Sequence, residues 1–303
     1  MKEQELLQKY GSPLYVYDEK VLNKRIDNMM ELAEKLKRRT GVERIKMHYS
    51  TKANGNLQIL KKIKEKGMAV DAMSPTELEL TKLAEFNKED ILYVCNNVSV
   101  EEMCEVIDKN ILICLDSISQ LEMLGEARPN SKVMVRINPG AGGVGHSDKV
   151  ITSGKDTKFG ISKENFEELF ETAKKYNIKI IGVHQHLGSL FLNDKIDTYI
   201  EGVRAGLETI KKYFKDLKII DLGGGFGVPY KEEEEELNLD IIVEKLAPIL
   251  VSFINEYGMV EFKFEPGRYI PCEAGYVLGE VMAVKNENGK VWVGTNCRYE
   301  CSA

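Results

Sequence analysis

The run RIKMHYSTKANGNLQILKKIKEKGMAVDAMSPTELELTKLAEF, residues 44–86, contains one pattern twice. A short run, RIKMHYST (44–51) or MAVDAM (68–73), is rich in apolar residues and ends at turn residues. Each is followed by a longer stretch, NLQILKKIKEK or PTELELTKLAEF, whose apolar residues recur every three to four positions. The short run reads as a strand buried on both faces and the longer one as an amphipathic helix. Strands of that kind alternating with helices require a parallel sheet covered by helices.

Outward from this stretch the pattern continues through ILYVC (91–95), ILICLD (111–116), KVMVRIN (132–138), IKIIGVHQH (178–186), LKIIDLG (217–223) and EFKFEPG (261–267), which makes eight strand candidates. Helix starts are marked by Ser74 with Glu77, Ser99 with Glu102, and Ser162 ahead of a Glu-rich turn. Eight repeats predict an α/β fold closed as a (β/α)8 TIM barrel rather than an open doubly wound sheet. PLYVYD (13–18) is an additional strand candidate, and YVLGEVMAVKNENGKVWVGTN (276–296) predicts two strands joined at a NENG turn. The expected organisation is a barrel over 25–268 with part of a second, β-rich domain formed by the N-terminal segment 1–24 and the C-terminal segment 269–303.

With 303 residues, 43% of them hydrophobic and 30% charged, the chain can bury a large core and stay soluble. A formal net charge of -6 argues against general affinity for nucleic acid or an anionic membrane. MKEQELLQKY at the start is polar and helix-like with no apolar signal core. No run approaches the ~20 apolar residues that span a bilayer, so the expected location is the cytoplasm. Six cysteines, at 95, 104, 114, 272, 297 and 301, form no CxxC pair and predict buried thiols rather than a zinc site or a disulfide framework.

A barrel places its chemistry at the C-terminal ends of its strands. Those ends carry Lys52; Asp71 and Ser74; Arg136 and Asn138; His184 and His186; Gly223, Gly224 and Gly225; and Glu265 with Arg268. LGGGFG (222–227) offers consecutive N–H groups with no Cβ in the way, an arrangement that cups a phosphate dianion, and Arg268 can pair with the same dianion. In HQH, His184 and His186 stand at strand spacing and either chelate a metal or serve as packed or stacking imidazoles, His186 against a planar ligand and His184 as core. Glu265 needs a cationic partner to stay ionised after an apolar strand; a protonated pyridine nitrogen or an ion pair with Arg268 supplies one. Asp71 also reads as a strand-end turn residue, Glu77 as the third position of a capping box, and EEEEE at 232–236 as a solvated loop. Lys52 reads either as a structural ion pair or as a nucleophilic amine able to form a Schiff base. Lysine, phosphate cup, flat imidazole and acidic pyridine partner together describe a pyridoxal phosphate site, with no metal.

The ordered series YGSPLYVYD, YSTKANGN, VDAMSPTE, VRINPGAGGVGHSDKVITSGKDTKFGI, GVHQHLGS, DLGGGFGVPY and EPGR resembles the fold type III, alanine racemase-like pyridoxal phosphate decarboxylases, most closely the diaminopimelate branch. The resemblance implies Lys52 as the Schiff-base lysine and His186 as the residue stacked on the cofactor. It gives Ser189, Gly223, Gly224 and Gly225 to the phosphate, Glu265 to the pyridine nitrogen, and Arg268 to the phosphate or a substrate carboxylate. Asp71 and Glu77 are implied as supporting acids, Arg136 as a contact near the ring oxygen, and Pro266 and Gly267 as part of the cofactor-binding EPGR turn. A carboxylate on the pyridine nitrogen favours decarboxylation over racemisation, so the implied reaction converts meso-diaminopimelate to L-lysine and carbon dioxide in lysine biosynthesis. The family also carries a C-terminal β domain with a Cys-Glu-Ser-type motif that crosses a homodimer interface. RYECSA (298–303) has no counterpart of it, because Cys301 falls too early. Three alternatives accompany this expectation: a decarboxylase of ornithine or arginine, a non-catalytic or regulatory pyridoxal phosphate-binding paralogue, and a metal-dependent hydrolase.

Overall fold

In the computed structural model, residues 3–141, 143, 154 and 157–297 are described. The quoted stretch forms β2 (Ile45–Ser50), α3 (Leu57–Glu65), β3 (Ala69–Ala72) and α4 (Pro75–Leu83). The repeat then runs through β4 (Ile91–Cys95), α5 (Val100–Asp108), β5 (Leu112–Leu115), α6 (Ile118–Ala127), β6 (Lys132–Arg136), α7 (Phe166–Lys175), β7 (Lys179–His184), α8 (Ile196–Tyr213), β8 (Ile219–Asp221), α9 (Leu239–Tyr257) and β9 (Glu261–Phe264). β2 to β9 close into a parallel barrel in chain order, with Ile45 of β2 opposite Phe262 of β9 at the seam. Each expected strand therefore exists and lies within its expected run. Ser74, Ser99 and Ser117 start their helices by accepting the N–H three residues on, from Glu77, Glu102 and Gln120. Ser162 differs: it precedes a 3-10 turn without a side-chain cap, and α7 begins four residues later at Phe166.

Alternation along the strands divides the barrel. Tyr93, Val133, Val135, Val183, Ile220 and Phe262 belong to the large core beneath the helices. Leu92, Val94, Cys114 and Met134 form a separate cluster inside the barrel, joined by Leu112 and Ile219. Gly182 of β7 faces this cluster because a Cβ there would come within 2.8 Å of the Met134 side chain. The interior across from β4, β5 and β6 is instead polar: His48, Ser50, Asp71, His184, Asp221, Lys263 and Glu265 are all buried.

α2 (Glu19–Thr40), for which the sequence reading sets no element, is capped by Asp18, which accepts from Lys20 and Val21 N–H at 2.8 and 3.2 Å. It ends at Gly41 with φ 72°. Leu22, Ile26, Met29, Leu32 and Leu36 line its buried face, and it packs on both α9 and β2. β9 is followed by a turn rather than a helix, so α2 closes the helical ring from the N-terminal side. It follows α1 (Glu3–Tyr10) and β1 (Leu14–Tyr17).

β1 pairs antiparallel with β10 (Gly275–Leu278), and β11 (Val281–Glu287) pairs with β12 (Lys290–Thr295). Asn288 and Gly289, at φ 54° and 74°, make the expected NENG turn in the left-handed conformation that a two-residue hairpin needs. The expected first strand is split after Leu278, and its opening piece joins the N-terminal strand instead of the hairpin. Among the described residues, no helix is long and apolar enough to cross a membrane. Cys95 and Cys114 are buried as expected, whereas Cys104, Cys272 and Cys297 are only half-buried. His146 and Cys301, with most of the NPGAG-to-KFGI motif, lie outside the described residues.

The acidic run 232–236 is largely exposed, as expected, and three of its glutamates also anchor the loop. Glu236 pairs with buried Arg25 of α2, Glu234 accepts from Tyr230 N–H at 2.7 Å, and Glu235 accepts from Asn193. Arg25 also pairs with Glu273 and donates to Tyr269 Oη at 3.0 Å, fastening α2 to the chain beyond β9. Replacing Arg25 with Ala strands those partners, and urea unfolding should register a loss of about 2 kcal/mol.

Candidate active site

The strand ends meet at a pocket of about 580 Å³. Lys52, His186, Ser189, Gly225, Glu265 and Arg268 all line it, together with Gly267. Asp71, Arg136, Gly223, Gly224 and Pro266 stand behind these residues. Tyr15, Tyr17, Tyr276 and Val277 of the β1–β10 pair form a wall that sequence reasoning missed, because only pairing of the two chain ends brings them here.

Lys52 lies in a 3-10 turn (Thr51–Ala53) directly after β2 and is exposed at the pocket rim. The turn is held from both sides. Thr51 Oγ1 lies 2.7 Å from both the Asp71 carbonyl oxygen and Glu77 Oε2, and Asn54 donates to Tyr17 Oη at 2.6 Å. Glu77 also accepts from Met73 N–H at 2.7 Å, so it locks the start of α4 to the lysine turn.

The glycine run is a packing requirement before it is anything else. A Cβ on Gly223 would stand 2.4 Å from the Gln185 carbonyl oxygen, and one on Gly224 2.0 Å from that of Glu265. Gly223 N–H donates to Asp221 Oδ1 at 2.9 Å and Gly224 N–H to His186 Nδ1 at 3.3 Å. Gly225, at φ 106°, is the member that lines the pocket. Pro266 accepts from Ser50 N–H at 3.1 Å, which joins the exit of β9 to that of β2.

Three carboxyls are buried in the polar half. Burial and the Glu265 charge raise Asp71 to about 8, against the pull of Lys52 and of Ser50, which donates to Asp71 Oδ2 at 3.0 Å. Burial and Glu265 likewise hold Asp221 well above the carboxylate range. Glu265 goes the other way: burial opposes its charge, but His184, at 3.0 Å from Oε2, and Lys52 outweigh burial and keep it below the usual range. The ion pair with Arg268 weighed in the sequence does not form, since Arg268 donates instead to Tyr230 Oη at 2.7 Å. Arg136 faces Asp116 at 3.6 Å and lies 4.6 Å from the Phe159 ring centroid. Burial, then Lys52 and Arg136, push His186 well below its ordinary value, so it is a neutral imidazole.

The two histidines of HQH do not chelate together: Nε2 of His184 serves Glu265 and Nδ1 of His186 serves Gly224. His184, Asp221 and Glu265 bring one ligand-type atom each within 4.8 Å of one another. His184 is the site residue the sequence undervalues. Its signal is its place two residues before His186, facing into the barrel at the end of a strand.

A family model described as "Pyridoxal-dependent decarboxylase, pyridoxal binding domain" matches residues 24–272, and the chain belongs to this family. Its relatives include the diaminopimelate decarboxylase of Methanothermobacter thermautotrophicus, 33% identical over 94% of this chain and 67% of the relative. That of Streptomyces coelicolor is 30% identical over 91% and 60%. The crystal structure of diaminopimelate decarboxylase from M. jannaschii in co-complex with L-lysine superposes with a TM-score of 0.85 at 27% identity, covering 96% of this chain and 69% of that one. The chain thus spans about two thirds of the length of the relatives it matches.

Pyridoxal phosphate is the cofactor the family implies, and the residues fit it. Glu265 Oε1 is buried and takes no hydrogen bond among the described residues, so it can accept one from a ring N–H. A Cβ on Gly225 would come within 2.7 Å of the Gly188 carbonyl oxygen and of the Phe191 ring, so the loop can pass there only as glycine.

Asp71 also makes stability depend on pH. Its folded value lies above the ordinary one, so between about pH 4 and pH 8 the native state holds a proton that the unfolded chain releases. Stability then falls as pH rises through that window, while the Glu265 contribution is lost only at more acid pH. Asp71→Asn removes this term; by thermal and urea unfolding of the cofactor-free protein, wild type should lose at least ~1 kcal/mol more than the variant between about pH 5 and 8.5.

Proposed function

We propose that this chain supports pyridoxal phosphate-dependent decarboxylation of an amino acid, with meso-diaminopimelate as substrate and L-lysine and carbon dioxide as products. The observation that carries the reading is the convergence of Lys52, His186, Ser189, Gly225, Glu265 and Arg268 on one pocket. The choice of substrate is supported by relatives named diaminopimelate decarboxylase at 26% to 33% identity and by neighbours crystallised with L-lysine. The same reading takes 25–268 as the cofactor-binding barrel, flanked by segments 1–24 and 269–303 of a β domain, in a homodimeric cytoplasmic enzyme of lysine biosynthesis.

When bound, the cofactor supplies an aldehyde and an electron-withdrawing ring that accepts the electron pair of a breaking Cα–carboxylate bond. Lys52 would supply the amine that holds the cofactor's aldehyde. Glu265, kept ionised in the barrel, would accept the ring N–H and so preserve the proton that makes the ring electron-poor. His186, neutral and fixed by Gly224 N–H, forms an uncharged planar wall. Ser189 and Gly225 would hold the phosphate, and Arg268 would add positive charge there or meet a substrate carboxylate. Asp71 holds the lysine turn through its carbonyl oxygen, which accepts from Thr51, and Arg136 places positive charge toward Glu265 and Asp71. The tyrosines of the β1–β10 wall bound the pocket on one side.

The test is cofactor binding followed by a carbon dioxide release panel on meso-diaminopimelate, ornithine, arginine and lysine. Wild type should show the absorbance of lysine-bound cofactor and Lys52→Ala should lack it, with turnover reduced at least ~1000-fold. Release from diaminopimelate should exceed that from the other three. Cofactor binding without release from any of them would replace this reading by a non-catalytic carrier, and no binding at all would end it.

A further inference from the structure

Glu265 owes its usefulness to a residue that never reaches the pocket. His184 is 1% exposed and does not line the cavity, so it touches neither cofactor nor substrate. In the barrel register it stands between Arg136 of β6 and Asp221 of β7's other neighbour, β8. Because Glu265 is the acceptor, the proton of their 3.0 Å contact belongs on His184 Nε2.

Three acids compete for one negative charge in this space. Asp71 has a serine hydroxyl as its partner, and Asp221 has one backbone N–H with Oδ2 left unpaired. Glu265 alone among them takes a side-chain N–H of a titratable ring, and this contact uses Oε2 while leaving Oε1 of this pocket-lining residue without a hydrogen bond among the described residues. We propose that His184 is a positioning residue, acting on the cofactor ring through Glu265: it selects which buried acid carries the charge and fixes the carboxylate so that Oε1 meets the ring nitrogen. The inference rests on the cofactor reading given above and adds to it a residue that acts at second hand.

The test is a double-mutant cycle read by pyridoxal 5'-phosphate affinity and by the absorbance spectrum of the bound cofactor, with full chains throughout. His184→Leu should weaken binding at least about tenfold and move the spectrum to that of Glu265→Gln. His184→Gln, which keeps an N–H near the position of Nε2, should restore affinity to within about threefold of wild type. With Glu265 already replaced by Gln, His184→Leu should cost less than about twofold, since the residue has nothing left to act through. Equal losses in both backgrounds, or a wild-type spectrum in His184→Leu, overturn the proposal and reduce His184 to core packing. Should His184→Leu fail to fold by circular dichroism, His184→Asn, whose shorter amide stops short of Oε2, takes its place in the cycle and is read the same way. Wild type failing to bind, or Lys52→Ala keeping the wild-type spectrum, would overturn the cofactor reading itself and this inference with it, a result distinct from a failed cycle.

Discussion

A carboxylate in a barrel interior survives only if something offsets the water it has lost, and here the nearest offset is an imidazole N–H directed at Glu265, to which the Lys52 charge adds. The other buried acids then follow from it. Once Glu265 is charged, Asp71 and Asp221 are driven toward their neutral forms, because a second anion at this depth has no comparable partner. The polar half of the barrel is therefore a set of unequal acids, and the inequality gives the pocket its electrostatic character.

Geometry reinforces this order. The turn after β8 passes so close to the turns after β7 and β9 that side chains on Gly223 and Gly224 would strike main-chain oxygens. Glu265 N–H donates to the Gly223 carbonyl oxygen at 2.9 Å, and Gly224 N–H holds His186. Three strand exits are thereby sewn together before any ligand arrives. The same contacts that make glycine obligatory also set the acid and the imidazole around one space, so fold and site share a set of hydrogen bonds.

Much of this was legible in the sequence, for identifiable reasons. Strands such as ILYVC and KVMVRIN announce themselves because burial on both faces leaves no polar alternation. Lys52, His186 and Glu265 stand out because polar residues directly after such runs fall on the catalytic face of a barrel. What escaped depends on contacts between distant segments. α2 carries an apolar face like the others but precedes the first barrel strand, where the repeat gives no reason to look for a ring helix. The Tyr15 and Tyr276 wall exists only through pairing of β1 with β10, which no local pattern announces. His184 looks like core filler until its neighbour Glu265, just past β9, is known. Glu236 sits in an acid run whose composition suggests solvent, where it does lie, and only the position of Arg25 reveals that it is also paired.

The placement of α2 has a bearing on how the molecule is made. One edge of β2 stays bare on the ribosome until β9 arrives, more than two hundred residues later, and unpaired strand edges of that kind invite association with other chains. α2 is already synthesised by then and packs on β2, so it covers apolar surface during the wait. Arg25 of α2 meets Tyr269 and Glu273, which follow β9 in the chain, so that contact can form only once the last barrel strand has been made.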